Sequence, residues 1–248
     1  MPDPRPIAHC MMFSDLAAAS SGDRLTVTGE EAHHAAKVKR IREGEAVALL
    51  DGRGRMAVGA IAEIAGSKSR PELAVLLESI ETVPPVSPVV EVCAALPKGD
   101  RLDRMVDQLT QLGVHGFRPL LCERSQRKPE TVRTDKLERI AAEAMKQCRR
   151  PWSMDFRPPI TFGDALGDPD AVVADASGEG FFASDARPRT TLLVGPEGGW
   201  SPAERELIEQ RGVRTRRFGV FVLRIEAAAC AASAIVLSHA PPPAHGRI

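Results

Sequence analysis

The chain has 248 residues, including 33 Lys or Arg and 33 Asp or Glu, so its formal net charge at pH 7 is zero. This balance excludes a strongly cationic nucleic-acid coat protein and an acidic disordered tail, although local excesses of charge can still cancel. Hydrophobic residues make up 43% of the chain and charged residues 27%, which is typical of a globular protein with one or two cores.

The five cysteines are odd in number and widely separated, and they include no C-x-x-C pair. They argue against a disulfide framework and a zinc site, and they favour a cytoplasmic protein with reduced thiols. The six histidines form no ligand-spaced cluster, so no metal is expected. We expect no signal peptide. The most apolar stretch, Ala227–Leu237, is too short to span a bilayer and predicts a buried helix.

Residues 25–80 predict short β-strands around one short helix. Between two of the strands stands Asp51-Gly52, a typical hairpin signal. The expected elements are a strand at 25–28, a helix at 30–41, and strands at 46–50, 56–64 and 72–80. Together they predict a small β-barrel domain at residues 1–81. Three prolines in residues 82–88 predict a stiff linker.

After the linker, residues 89–248 alternate between strand and helix patterns. Apolar residues of the first helix recur at i, i+3, i+4 and i+7, and Gly113 marks its end. The expected strands lie at 89–96, 117–122, 171–174 and 191–194, and the expected helices at 100–112 and 134–148. This order predicts an α/β domain with a mainly parallel sheet and helices on both faces.

Two segments concentrate basic residues. Residues 32–42 hold four basic residues and no acid, and residues 98–150 hold 13 basic and 8 acidic residues. Residues 151–190 offset them with 3 basic and 7 acidic residues. Each basic segment alone could be a solvated helix face, but their joint use predicts a polyanion-binding surface.

The segment Thr191–Gly212 predicts a strand, a glycine-rich loop and a helix. Ser201 has the N-cap position, Pro202 the first helical position, and Glu204 completes a capping box. We expect the helix to end at Gly212. The loop therefore follows the carboxyl end of a strand, where open α/β sheets bind ligands.

The loop glycines are Gly195, Gly198 and Gly199. The loop lacks the Lys-Ser/Thr ending of a P-loop and the spacing of a dinucleotide fingerprint, so phosphate binding is disfavoured. It instead indicates close approach of bare backbone to a flat, mostly uncharged group such as adenine or ribose. The alternative is a tight turn that needs positive φ angles.

The segment Arg217–Leu237 predicts a strand that ends near Phe218, a short loop and an alanine-rich helix. Arg224 and Glu226 stand at the junction of loop and helix, within apolar flanks. Ionic residues in such surroundings are costly unless they are paired or functional. Alternatively, the two residues pair locally, or Glu226 only interacts favourably with the helix N-terminus.

Six blocks resemble, in order and spacing, those of the ribosomal RNA small subunit methyltransferase E family. The glycine loop and the LR-x-E motif after it are the most specific of them. The blocks are HHAAKVKRIREGEAVALLDG (33–52), ALPKGDRLDRMVDQLTQLGV (95–114), ERSQRK (123–128), EAMKQCRR (143–150), LLVGPEGGWSPAE (192–204) and FGVFVLRIEAA (218–228).

The resemblance implies a SPOUT-class methyltransferase that uses S-adenosylmethionine to methylate N3 of a uridine in 16S rRNA of the 30S subunit, near the decoding centre. It also implies a PUA-like RNA-binding barrel and a C-terminal α/β domain with a deep trefoil knot at about residues 190–239. A homodimer is expected to complete the site, with the alanine-rich last helix in its interface.

The resemblance further implies the site residues. The cofactor would contact Gly195, Glu197, Gly198, Gly199, Phe218, Gly219, Leu223, Arg224, Ile225, Glu226 and Ala227. Our hypothesis is that Arg224 holds a phosphate or polarises a uracil carbonyl, and that Glu197 or Glu226 orients groups or accepts the N3 proton. The predicted contacts to the RNA backbone are Lys37, Lys39, Arg40, Arg42, Arg124, Arg127, Lys128, Arg149 and Arg150.

Two other functions stay open. Phe221, Ile225 and Ala227 stand where the family commonly has a basic residue and two threonines, which would suit a non-catalytic RNA-binding or ribosome-assembly protein on the same scaffold. A nucleotide-dependent enzyme that binds phosphates with the glycine loop is disfavoured because the P-loop lysine is absent.

Overall fold

The computed structural model describes residues 6–238 and contains two compact units. Unit 1 contains the chain through Pro85 together with Met145–Ser153. Unit 2 contains Val86–Ala144 and the chain from Met154 onward. The division near residue 85 falls inside the predicted linker. However, Met145–Ser153 belongs to the first unit, whereas the sequence-based limits assign it to the second domain.

Unit 1 is built on a mixed five-stranded sheet in the order β1-β3-β4-β5-β2. Strand β1 runs parallel to β3, and the other neighbours are antiparallel. The strands are β1 His9–Met12, β2 Arg24–Val27, β3 Ala46–Leu50, β4 Arg55–Ser67 and β5 Arg70–Thr82. The predicted hairpin between β3 and β4 is confirmed: Gly52 has φ +70°, and the Asp51 carboxylate accepts the backbone N–H groups of Arg53 and Arg55.

One short helix packs against the sheet of unit 1. Helix α1 covers Gly29–His33 and continues as a π-helical turn, His34–Val38. The predicted helix is therefore confirmed as far as Val38, but its extension to residue 41 is wrong. Arg40 adopts φ +55°, a left-handed conformation that a right-handed helix does not continue through.

Unit 2 is built on a seven-stranded parallel sheet in the order β12-β10-β11-β6-β7-β8, and β9 also pairs with β7. The mainly parallel sheet predicted from the sequence is confirmed. The strands are β6 Val89–Ala94, β7 Gly116–Leu121, β8 Asp155–Phe156, β9 Ile160–Thr161, β10 Ala171–Gly180, β11 Arg189–Val194 and β12 Arg214–Arg217.

Helices cover both faces of this sheet, as predicted. Because successive strand residues point to opposite faces, Leu192 and Val194 pack in a core with residues of α2 and α6, whereas Leu193 packs with residues of α4 and α5. The helices are α2 Arg101–Leu112, α3 Thr134–Cys148, α4 Phe162–Ala165, α5 Pro202–Arg211 and α6 Ile225–Leu237.

Within residues 6–238, none of these helices has both the length and the apolar character needed to cross a membrane.

Candidate active site

A cavity of about 260 Å³ lies at the carboxyl ends of β10, β11 and β12 in unit 2. Three chain segments form most of its wall: the end of β10 from Ala174 to Ala176, the loop after β11, and the loop after β12. The carboxyl edge of a parallel sheet is where such folds bind ligands. The sequence-based expectation that the two loops share one site is consistent with this wall. The loops contribute Gly195, Pro196, Glu197, Gly199, Trp200, Phe218, Gly219, Phe221, Val222 and Leu223.

The glycines of the first loop meet two different structural demands. A Cβ on Gly195 would lie 2.9 Å from the Trp200 indole, so any side chain there would displace that ring. Gly199 has φ +68°, which disfavours other residues. Trp200 is held in place because its Nε1 donates to the carbonyl oxygen of Ala174 at 3.4 Å. The loop is thus both a turn and a bare-backbone wall of the cavity.

The predicted capping box at the start of α5 is confirmed. The Ser201 hydroxyl oxygen accepts the Glu204 N–H at 3.1 Å, and the Glu204 carboxylate accepts the Ser201 N–H at 2.7 Å. The second carboxylate oxygen of Glu204 accepts the N–H of Glu123 at 3.0 Å. Helix α5 begins at Pro202 and ends before Gly212, whose φ is +60°. These bonds fix the end of the glycine loop to the segment after β7.

Two predicted catalytic carboxylates meet one arginine that the sequence analysis did not single out. Arg101 Nη1 lies 2.5 Å from Glu197 Oε1 and 3.7 Å from Glu226 Oε1. The hydrogen bond to Glu197 raises the pKa of Arg101. Glu226 Oε2 is buried and has no hydrogen-bond partner among the described residues. Glu226 therefore pairs with Arg101, and the alternative of a local pair with Arg224 is not what the structure shows.

Arg224 is the exposed N-cap residue of α6. Its side chain forms no hydrogen bond or ion pair with any other residue in the range 6–238. It lines a second, more open cavity of about 630 Å³, together with Arg101, Glu197, Val222 and Leu223. Glu197, Val222 and Leu223 also line the first cavity. The arrangement places an unpaired cation next to a site that contains two carboxylates.

The predicted cofactor residues fall into two groups. Those that line the first cavity are Gly195, Glu197, Gly199, Phe218, Gly219, Leu223 and Ile225. Of the others, Gly198 accepts a hydrogen bond from Arg124, Glu226 contacts Arg101, and Arg224 lines the second cavity. Ala227 is exposed on α6, and its neighbour Ala228 lines the first cavity.

Strand β10 also contributes to the site, and this contribution was not predicted from the sequence. Asp175 lines the first cavity, and its side chain is only 10% exposed and pairs with Arg205 at 3.2 Å. The position of Asp175 just after the apolar run of β10 was the available signal, since functional side chains often follow parallel strands. Arg217, at the end of β12, also lines the first cavity and was not predicted to do so.

The predicted RNA contacts are divided between the units. Lys37, Lys39, Arg40 and Arg42 are exposed in unit 1, and Arg149 and Arg150 belong to the same unit. Burial lowers the pKa of Arg150 to about 10. In unit 2, Arg124 Nη1 donates to the carbonyl oxygens of Gly198 at 2.9 Å and Trp200 at 3.3 Å, Arg127 donates to that of Pro97, and Lys128 is exposed.

All five cysteines are free thiols, and Cys230, on α6, has its pKa raised to about 11 by burial. In the part of the chain that the structure describes, no three His, Cys, Asp or Glu side chains come together in a group that could hold a metal ion.

Comparison with known proteins gives two family matches. Residues 85–237 match an RNA methyltransferase domain, and residues 27–69 match an RNA methyltransferase PUA domain. A Mycobacterium bovis protein named ribosomal RNA small subunit methyltransferase E is 32% identical over 239 residues, which cover 90% of this chain and 89% of the relative. An Aquifex aeolicus protein of the same name is 30% identical over 169 residues, which cover 66% of this chain and 74% of that protein.

Solved structures share the fold. A probable rRNA methyltransferase from Porphyromonas gingivalis has a TM-score of 0.77 and 26% identity, covering 93% of this chain and 98% of its own. A ribosomal RNA small subunit methyltransferase E from Neisseria gonorrhoeae, bound to S-adenosyl methionine, has a TM-score of 0.76 and 23% identity, covering 93% and 97%. With its matches to both domains and its close relatives over most of its length, the chain belongs to the ribosomal RNA small subunit methyltransferase E family of RNA methyltransferases.

Proposed function

We propose that this protein transfers a methyl group from S-adenosylmethionine to N3 of one uridine in 16S rRNA of the small ribosomal subunit, in the decoding-centre region. The observation that carries the proposal is the glycine-loop cavity, whose wall includes the Glu197 carboxylate and shares it with a second cavity lined by the unpaired Arg224. The names of the relatives support a ribosomal RNA substrate, and a protein of the same fold holds S-adenosyl methionine.

The residues present fit this cofactor. The cavity of about 260 Å³ is close to the lower end of the roughly 300–1,000 Å³ range of small-molecule sites, and it shares Glu197, Val222 and Leu223 with the wall of the second cavity. Bare backbone at Gly195 and Gly199, with apolar Phe218 and Ile225, suits a flat adenine ring. The buried, unpartnered Glu226 Oε2 suits a nearby positive charge such as a sulfonium.

Three residues would perform the reaction. When bound, S-adenosylmethionine supplies an electrophilic methyl group on its sulfonium, so the protein needs to place the uracil nitrogen in line and remove its weakly acidic proton. Arg224 would stabilise the negative charge that develops on a uracil carbonyl as the N3 proton leaves. Glu197 or Glu226 would accept that proton or orient the base. The N3–carbon bond forms as the sulfur–carbon bond breaks.

The decisive experiment is to incubate unmodified 30S subunits with the protein and isotopically labelled S-adenosylmethionine, and to map methylated nucleotides of 16S rRNA by mass spectrometry. We expect one labelled uridine, methylated at N3. If the protein binds 30S subunits but calorimetry detects no S-adenosylmethionine binding, the protein is a non-catalytic RNA-binding protein. Competition by ATP without competition by S-adenosylhomocysteine would indicate a nucleotide-dependent enzyme.

The finer fold is part of the proposal. We propose a PUA-like barrel at residues 1–81, a linker at 82–88 and a SPOUT domain at 89–248, knotted at about 190–239; residues 1–5 and 239–248 lie outside the described range. The strand order supports the knot, since the chain leaves β11, forms α5, and returns as β12 on the far side of β10.

We also propose a homodimer. The loop Val220–Val222 supports this because its three apolar side chains are 85%, 81% and 87% exposed. Large exposed apolar patches typically mark interaction sites. Helix α6, the other predicted interface element, buries Ala229 and Ala232 within its own unit.

Replacing Phe221 with aspartate is expected to weaken the dimer at least about tenfold, because a charge would enter an apolar contact. Sedimentation equilibrium measures the dissociation constant. The matched control is Phe182→Asp, at another exposed aromatic residue of unit 2, which should leave it unchanged. Equal dissociation constants for the wild type and Phe221→Asp would remove this loop from the interface.

A basic surface in unit 1 is the proposed contact to the RNA backbone. Replacing Lys37, Lys39, Arg40 and Arg42 with glutamine should weaken binding and reduce the slope of log affinity against log salt by about 3, because each lost phosphate contact removes roughly 0.7–0.9. Binding to 30S subunits at several salt concentrations measures the slope. Lys68→Gln with Arg70→Gln, on the exposed β4–β5 turn, is the control. An unchanged slope for the fourfold variant would contradict this prediction.

A further inference from the structure

We propose that Arg101 is a positioning residue for methyl transfer, which holds Glu197 and Glu226 in one arrangement beside the cofactor and target cavities. This inference rests on the proposed function, because it assigns a role in the same site. Arg101 is the first residue of α2, and the reaction described above assigns it no role.

The guanidinium of Arg101 joins three separate segments of the chain. Its Nε donates to the carbonyl oxygen of Lys98 at 3.1 Å, which anchors the side chain to the loop after β6. Its Nη1 binds Glu197, in the loop after β11, and lies near Glu226, in the first turn of α6. One planar group with donors at fixed angles therefore sets the position of both carboxylates relative to α2.

The positive charge of Arg101 is needed to keep the carboxylates of Glu197 and Glu226 close together. Glu197 and Glu226 both lie within 4 Å of the same Arg101 nitrogen, so without Arg101 two neighbouring carboxylates would have no cation between them. Like charges at such short range repel, and the loops that carry them would move apart. Glu197 lines both cavities, so its displacement would change both the cofactor wall and the wall beside Arg224.

Arg101 differs from an ordinary surface cation. One turn further along α2, Arg104 pairs with Asp100 at 2.6 Å, but those side chains are 72% and 67% exposed. The side chains of Arg101, Glu197 and Glu226 are only 22%, 35% and 18% exposed. Solvent and salt screen the Arg101 contacts less, so they hold their geometry more strongly than the Arg104 pair.

Contacts other than those of Arg101 also hold the glycine loop. The effect of Arg101 on the position of Glu197 can therefore be separated from an effect on cofactor binding. The capping box and the two hydrogen bonds from Arg124 hold Gly198, Trp200 and Ser201 without Arg101. Loss of Arg101 should therefore loosen the chain around Glu197 and Glu226 without deforming the cofactor cavity as a whole, because these other bonds maintain its wall.

The test compares Arg101→Ala, Arg101→Lys and the matched control Arg104→Ala. For Arg101→Ala we expect kcat to fall about 10- to 100-fold, the effect of a small misplacement of reacting groups, with little change in KM for S-adenosylmethionine. Arg101→Lys should restore part of kcat, since it keeps the charge but not the fork of donors. Arg104→Ala should match the wild type. An unchanged kcat for Arg101→Ala would overturn the proposal. A rise in KM for S-adenosylmethionine as large as the fall in kcat would also overturn it.

A double-mutant cycle with Glu197→Gln tests whether Arg101 acts through Glu197. We expect Arg101→Ala to lower kcat much less in the Glu197→Gln background than in the wild type, because the two residues act as one unit. Independent, multiplicative losses would show that Arg101 only stabilises the fold.

Amide hydrogen exchange of the cofactor-free protein gives a readout that needs no activity. Arg101→Ala should speed exchange in residues 196–199 and 225–227, and Arg104→Ala should not. Unchanged exchange in these segments would contradict the proposed positioning. If exchange responds as expected but the wild type methylates no RNA, the proposed function is wrong and the coupling of the loops through Arg101 stands.

Discussion

Replacing Arg224 with alanine is expected to lower kcat for methylation of 30S subunits by about 100- to 1,000-fold, the effect of removing one donor that stabilises developing negative charge. The structure supports a large effect because the exposed guanidinium lines the open cavity beside Glu197. Rates with labelled S-adenosylmethionine measure the change. Cofactor affinity, measured by calorimetry, should be retained because this side chain does not line the first cavity.

Two comparisons separate the role of Arg224 in the reaction from its charge and from any effect on stability. Arg224→Lys keeps a cation at the N-cap of α6 but loses bidentate donation, so it should recover only part of the rate. Arg224→Ala should also leave thermal stability unchanged, since the side chain is exposed and unpaired among the described residues. If Arg224→Ala methylated 30S subunits at the wild-type rate with normal cofactor binding, this role for Arg224 would be refuted.

Elements with strong local signals could be predicted from the sequence. Helix α5 was predicted at its correct bounds because Ser201, Pro202, Glu204 and Gly212 each specify one feature of its ends. The apolar spacing of α2 similarly predicted a helix that ends at Gly113, which has φ +97°. These residues act within one or two turns of the chain, so no tertiary information was needed.

Features that depend on distant residues could not be predicted in this way. Strand β10 was expected to end at Ala174, but it continues to Gly180 after a register shift, because pairing with β12 extends a segment that has no apolar alternation. The assignment of Met145–Ser153 to unit 1 likewise depends on long-range contacts, such as the bond from the Trp152 indole N–H to the Val83 carbonyl oxygen at 2.8 Å.

The candidate site shows the same division. The two loops were located from their glycines and from the junction at Arg224, which are visible in the sequence. The partner of Glu226 was not, because Arg101 lies on a different helix and charge spacing within one segment suggested a local pair. Arg124 was interpreted as an RNA contact from its charge, whereas its Nη1 donates to two carbonyl oxygens of the glycine loop.

Replacing Lys146 with alanine is expected to lower the free energy of unfolding of unit 1 by about 3 kcal/mol, the lower end of the range for breaking a buried ion pair. The Lys146 side chain is 8% exposed, and its Nζ lies 2.8 Å from Glu31 Oε1. Glu31 Oε2 is buried without a hydrogen-bond partner in the described chain. Loss of the ammonium would leave a carboxylate that is poorly solvated and no longer paired with this cation.

Urea denaturation followed by tryptophan fluorescence measures this effect. The chain has two tryptophans, and Trp152 belongs to unit 1 whereas Trp200 belongs to unit 2. A Trp200→Phe background therefore confines the signal to unit 1. The matched control is Arg24→Ala in the same unit, whose ion pair with Glu63 has both side chains 54% exposed; this change should alter stability by at most about 1 kcal/mol.

A double variant separates the charge of Lys146 from its packing. If the loss in Lys146→Ala comes from an uncompensated carboxylate, then Lys146→Met combined with Glu31→Gln should recover more than half of it, since replacing both partners of a buried pair is often nearly neutral. A double variant as unstable as Lys146→Ala would show that the ammonium stabilises unit 1 through other contacts. Arg149 and Arg150 lie just beyond the end of α3, three and four residues after Lys146, so the same ion pair anchors the chain immediately before these two predicted RNA contacts.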